Sequence, residues 1–333
     1  MKPNDPRPLS ATPATPYRPV LHGVALLASA FTLPLLFVGG SVTSYGVGLA
    51  VPDWPTTFGA NMFLYNFWNA PFGVQVEHTH RLYGAAVGLA TIVLTVALLV
   101  LDRRGWMKGL GVVALVAVIV QGVMGGLRVS QISTGFAVAH GVFGQTFFAL
   151  TVALCVFTGR AWMTSGPAVA DPARLRGWSA ALLALIYGQI AVGAWFRHFK
   201  ALDALWAHVL LAVAVLGVSH ALAARVRRNR ESGAALLLPS ARAAAVAATL
   251  QVALGLLALW LMLPLGGNPR TPTLWQAMTR TAHQTNGALL LASAVVLTLR
   301  AFGHLTPAAL PARLDAGRPG PAPRDRETLE ALA

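Results

Sequence analysis

Eight long apolar runs limit what this chain can fold into more than any other feature of its sequence. A hydrocarbon layer about 30 Å thick takes roughly 20 residues of helix to cross, because no unpaired backbone N–H or C=O can face lipid. The runs fall at about 20–40, 78–101, 108–127, 137–158, 177–196, 204–224, 241–263 and 281–301. The expected fold is an all-α membrane protein of eight transmembrane helices. Composition agrees: 56% of the residues are hydrophobic, only 11% are charged, and the mean hydropathy is +0.62, outside the range of an ordinary soluble domain.

The net charge of +14 could suggest a nucleic-acid partner, but the Lys and Arg residues fall in short clusters between the apolar runs. That pattern orients a membrane protein. Nineteen of the 25 lie in the tails and the even-numbered loops. Only Arg81, Arg128, Arg197, Lys200, Arg270 and Arg280 lie on the other side, and the long first loop, residues 41–76, has none. The positive-inside rule therefore puts both termini in the cytoplasm of a bacterial inner membrane. The stretch through Pro19 lacks the charged-then-apolar order of a cleavable signal, so the first run is expected to be retained. Both ends, residues 1–19 and 303–333, are rich in Pro and read as disordered. The single cysteine, Cys155, excludes an internal disulfide or a CxxC site and reads as packing.

The chain also repeats itself. Ala139-His140 precedes Gly144 near the start of the fourth run, and Ala282-His283 precedes Gly287 near the start of the eighth. Gln121 with Gly125, Gln189 with Gly193, and Gln251 with Gly255 recur on odd-numbered runs, where small residues let helices approach closely. Two pseudo-symmetric four-helix bundles account for this, at residues 20–160 and 177–302, joined by a cytoplasmic linker at 161–176.

His80, His140, His208 and His283 open the even-numbered runs, which all start on the outer side. They are therefore expected at one depth. Polar side chains inside a membrane are costly and by default functional. Under the repeat His80 corresponds to His208 and His140 to His283, one pair per half. Two imidazoles from facing helices are what six-coordinate heme iron accepts axially. A lone interfacial histidine is more often a satisfied polar residue, which is how His22, His78, His198, His220 and His304 are read. The outer basic residues suit heme propionates, or equally simple snorkelling. Glu77, three residues before His80, shares a helix face with it. It reads either as a proton acceptor beside the metal or as an acid complementing the helix dipole.

At these residues the sequence resembles the heme A synthase family. The carriers are Gly39-Gly40, Gly48-Leu49, Pro52-Asp53-Trp54-Pro55 and Gly59, then Glu77-His78-Thr79-His80-Arg81-Leu82, Gln121 with Gly125-Gly126, and the later His140, His208 and His283. The resemblance runs from about Gly39 to Leu299. It implies an oxidoreductase with heme b in the C-terminal half, held by His208 and His283. Heme O would be the substrate in the N-terminal half, flanked by His80 and His140, with Glu77 beside it, and a ring methyl would become a formyl group. It also implies heme O synthase and oxidase assembly proteins as partners, besides the bilayer itself; homo-oligomer formation stays open. Many family members carry a cysteine pair around the PDWP motif, where this chain has Val51 and Thr57. A diheme b-type electron carrier and a non-catalytic heme-binding assembly factor are the competing expectations.

Overall fold

The computed structural model describes residues 16–164, 168–171, 173–262 and 271–307. Eight long apolar helices alternate in direction: α1 (Pro19–Tyr45), α2 (Phe72–Leu101), α3 (Gly105–Ser130) and α4 (Thr134–Thr158), then, after the single turn α5 (Arg160–Met163), α6 (Leu175–Phe199), α7 (Leu202–Arg228), α8 (Leu238–Met262) and α9 (Leu274–His304). All eight spanning helices are long and apolar enough to cross a membrane. Their outward faces keep large apolar residues such as Leu89, Val100, Leu210 and Val246 exposed, as a lipid-facing surface requires.

Several helices begin earlier than their apolar runs. α2 starts at Phe72 and α9 at Leu274, so His80 and His283 lie in the third turn of their helices. Hydropathy misses these turns because they carry polar side chains that are satisfied by capping and by the loops. At α9 Thr273 and Gln276 form a reciprocal capping box. At α4 the Ser133 hydroxyl accepts the Phe136 N–H at 3.2 Å. At α6 the Asp171 carboxylate takes the N–H groups of Leu175 and Arg176 at 2.8 and 3.0 Å. α1 has Pro in its first turn and ends on Gly46 in the left-handed region.

The linker and the end of α9 are more ordered than their composition suggests. β1 (Val169–Asp171) pairs in parallel with β2 (Leu305–Pro307), and α9 continues to His304. Arg270, most of the expected N-terminal tail and the tail beyond residue 307 lie outside the described residues.

Within each set of four, the helices pack in a closed ring. α1 meets α2 and α4, and α3 fills the position between those two; α6 meets α7 and α9, with α8 between. The two sets join where α1 meets α9, α6 meets α4, and α4 meets α9, an arrangement compatible with a twofold relation. The seam is polar near the level of the histidines. Arg197 of α6 donates to the Gly40 carbonyl at 3.1 Å, to the Ser44 hydroxyl at 2.7 Å and to the Gln284 side chain. Arg280 donates to the Ser44 carbonyl at 2.9 Å.

Candidate functional site

The four histidines form two pairs across diagonally opposed helices. His80 of α2 faces His140 of α4 with ring centroids 6.3 Å apart, and His208 of α7 faces His283 of α9 at 6.1 Å. A metal–imidazole bond of about 2 Å, with the nitrogen about 1 Å from its ring centre, puts two rings on opposite sides of one metal roughly 6 Å apart. Both pairs meet that spacing. Among the described residues no cluster of three or more His, Cys, Asp or Glu could hold a metal ion, so each pair offers two ligands and no more. A metal bound there needs equatorial donors from elsewhere, and a porphyrin is the ligand that supplies four.

Each ring lies against a glycine of the preceding helix. A methyl group on Gly39, Gly125, Gly193 or Gly255 would sit 2.7 to 3.0 Å from the Cε1 of His80, His140, His208 or His283 respectively. Four residues before each of the last three glycines, on the same helix face, stands a glutamine. Gln121 donates from Nε2 to the His140 carbonyl at 2.9 Å, while its own carbonyl receives His140 Nδ1 at 3.2 Å. Gln189 donates to the His208 carbonyl at 2.9 Å. The Gln251 carbonyl receives His283 Nδ1 at 3.1 Å, its Oε1 accepts from Asn286 at 2.7 Å, and its Nε2 lies 3.2 Å from His283 Nε2. A carbonyl can only accept, so Nδ1 of His140 and His283 carries the proton and Nε2 keeps the lone pair for a metal. The recurrent Gln and Gly spacing is visible in the sequence; that it clamps the histidines is not.

Glu77 is buried near the N-terminal end of α2 and is fully engaged. Oε2 accepts the Val51 N–H at 3.0 Å and Oε1 accepts from Arg81 at 3.1 Å. Arg81 also donates to the carbonyls of Asp53, Thr56 and Val51, at 2.7, 2.9 and 3.1 Å. This arginine is committed to folding the first loop over the bundle, not to an outside anion. His78 points away from the pair. It is buried, with Nδ1 3.2 Å from the Thr57 hydroxyl and its ring against Tyr65 and Phe67. Trp54 of the PDWP turn covers Gly126 of α3, where a side chain larger than hydrogen would collide with the indole.

The Asp53 carboxylate receives the N–H groups of Phe58 and Gly59 at 2.8 and 2.9 Å and the Thr56 hydroxyl. Both N–H donors belong to residues with positive φ, 51° and 75°, so the turn aims them inward. Burial alone would raise the Asp53 pKa; these hydrogen bonds outweigh it and hold the group at about 2. The other cations near the histidines differ in their commitments. Arg197 and Arg280 are spent on the seam, whereas the Arg128 guanidinium makes no hydrogen bond among the described residues and lies against Gly48, in electrostatic reach of Glu77, His80 and His140.

Paired intramembrane histidines under a folded PDWP loop are now joined by a sequence match. Residues 67–206 match the model of a family described as cytochrome oxidase assembly protein, COX15-CtaA. The family segment runs from the end of the first loop into the first turns of α7. It contains Glu77, His80 and His140 and stops two residues before His208. The second histidine pair therefore stands on its own geometry. No curated protein matches the chain.

Proposed function

We propose that this chain is a heme A synthase of a bacterial inner membrane, which oxidises a ring methyl of heme O to a formyl group for cytochrome oxidase biogenesis. The observation that carries the reading is the spacing of the two histidine pairs, each fitted to a single iron. In this reading His208 and His283 hold heme b in the C-terminal half, and His80 and His140 flank heme O in the N-terminal half. Bound heme b would supply one-electron chemistry at that position. The protein's own contribution is to fix and surround the rings. The Gln121 and Gln251 carbonyls set the tautomers, the glycines allow the imidazoles to press close, and the PDWP loop covers the outer end. The Gln251 amide, 3.2 Å from His283 Nε2, must turn aside for ligation. Arg128 is suited to pair with a propionate, since no acceptor among the described residues holds its guanidinium. Glu77 places a fixed negative charge one turn from His80, where it favours developing positive charge during C–H oxidation. Its two oxygens are already held, which suits a counter-charge better than a freely exchanging base. Heme O synthase and oxidase assembly proteins are the partners this role entails.

The test is co-expression with a heme O synthase, followed by pigment extraction and chromatography. Heme A or its alcohol intermediate in the extract supports the reading. His208→Ala and His283→Ala should lose heme b and product together, whereas His80→Ala and His140→Ala should keep heme b and lose product. Two hemes with no oxidised product would instead establish a diheme electron carrier, which the matching spacing of the two pairs would also serve.

A further inference from the structure

The four histidines are alike in spacing but not in how they are held. His140, His208 and His283 each engage a glutamine of the preceding helix, through the ring, the backbone carbonyl or both. The position equivalent to those glutamines, four residues before Gly39 on α1, is Leu35. Leu35 has no side-chain donor or acceptor. His80 Nδ1 is buried without a hydrogen-bond partner, as is His208 Nδ1, but His208 has the Gln189 amide on its backbone carbonyl and His80 has no such amide. Pro34, immediately before, removes a backbone N–H from α1 at this level, which loosens the helix locally. His80 is thus the one histidine of the four with neither a resolved Nδ1 bond nor a glutamine against it.

The second half of the clamp is absent in the same place. The amide of Gln121 fits beside Gly144 and that of Gln251 beside Gly287, where a methyl group would lie 2.9 and 3.3 Å from Nε2. Gly84 holds the same place relative to His80, and a methyl group there would touch nothing within 4 Å. The space beside Gly84 is open, and no amide fills it.

We infer that His80 is the exchangeable axial ligand of this protein, and that a heme in the first bundle enters and leaves by breaking the bond to His80 Nε2. This rests on the reading that both pairs bind heme. The imidazole departs with its lone pair and no electron changes hands. His140 keeps the ring oriented while His80 swings free. The second bundle, with a glutamine at both histidines, retains its heme. The unequal clamps thereby separate a site built for a passing substrate from a site built for a resident cofactor. Groups that orient a ligating histidine are worth about 10–100-fold in metal affinity, enough to separate the two on the timescale of turnover.

The experiment is heme transfer from the purified, doubly loaded protein to excess apomyoglobin, followed in the Soret band. Two phases of equal amplitude are expected, the fast one missing from His140→Ala and the slow one missing from His283→Ala. Leu35→Gln, whose amide has room beside Gly84, should slow the fast phase by about tenfold. Gln251→Leu should bring the slow phase toward the fast one, a readout that remains if Leu35→Gln does not accumulate. A single common rate for both hemes would overturn the inference. So would a Leu35→Gln protein that carries both hemes and releases the first at the original rate. A preparation that binds no heme at all would instead remove the functional reading beneath it.

Discussion

The carboxylate of Glu77 accepts the backbone N–H of Val51 at 3.0 Å, and by that bond the second helix holds the first loop in place. The other oxygen takes Arg81, whose remaining donors reach three loop carbonyls. Glu77→Gln keeps an acceptor for Val51 but leaves the buried guanidinium without its counter-charge. It should lower stability by about 1–3 kcal/mol and leave the heme content of the second bundle unchanged. Product formation should fall sharply or stop at the alcohol. Heme chromatography beside a thermal melt measures both, and a normal yield of heme A would remove Glu77 from the chemistry.

Gly193→Ala would place a methyl group 2.7 Å from Cε1 of His208, closer than real carbon atoms approach. Either the imidazole turns or α6 and α7 separate. The expected result is partial loss of heme from the second bundle and a shift from low-spin to high-spin iron in what remains. Gly217→Ala on α7, where a methyl group meets nothing within 4 Å, is the matched control. Identical optical spectra for the two variants would mean that the close approach does not govern ligation.

Asp53 gives the loop a definite pH response. Its folded pKa of about 2 lies below the ordinary 3.8, so its contribution is complete above pH 3.8 and is lost as pH falls through about 2. Trp54, the next residue, packs on Gly126 and reports the turn by its fluorescence. With other tryptophans replaced, emission should hold steady from pH 7 to 4 and change below 3, and Asp53→Asn should abolish that transition. A transition centred at 4 or above would show that the Phe58 and Gly59 N–H bonds are not made in solution.

Orientation follows from the basic residues and is open to direct measurement. Fusions ending after Arg228 should be active with a cytoplasmic reporter, and fusions within the first loop with a periplasmic one. The reverse result would turn the molecule over and carry all four histidines to the other face.

The helix count and the pairing of His80 with His140 and of His208 with His283 could be read from the sequence because both depend on local periods: about 20 apolar residues per span and a histidine at the same place in alternate runs. The separation of His78 from the pairs was equally legible, since two residues along a helix is another face. What could not be read depends on contacts between distant segments. The polar first turns of α2 and α9 look like loop in a hydropathy profile, because only the capping of Gln276 and the loop bonds of Glu77 and Arg81 make helix there affordable. Glu77 and His80 share a face as spacing predicts, yet the carboxylate turns to Val51, 26 residues back, and no periodicity reports that. Likewise Arg81, Arg197 and Arg280 are indistinguishable from Arg128 as letters; only the fold shows which already have partners.

Adjacent residues of α1 face the two centres: Gly39 lies against His80, and Gly40 against Gln284, the neighbour of His283. A single strip of backbone thus serves as the party wall between two rooms. Any displacement of that strip to admit a ring on one side is felt on the other within one residue, with no bulky side chain to absorb it. Occupancies that share a movable boundary are thermodynamically linked, and the linkage acts equally in both directions. The order in which the two centres fill, and the readiness of each to empty, then become a joint property of the pair.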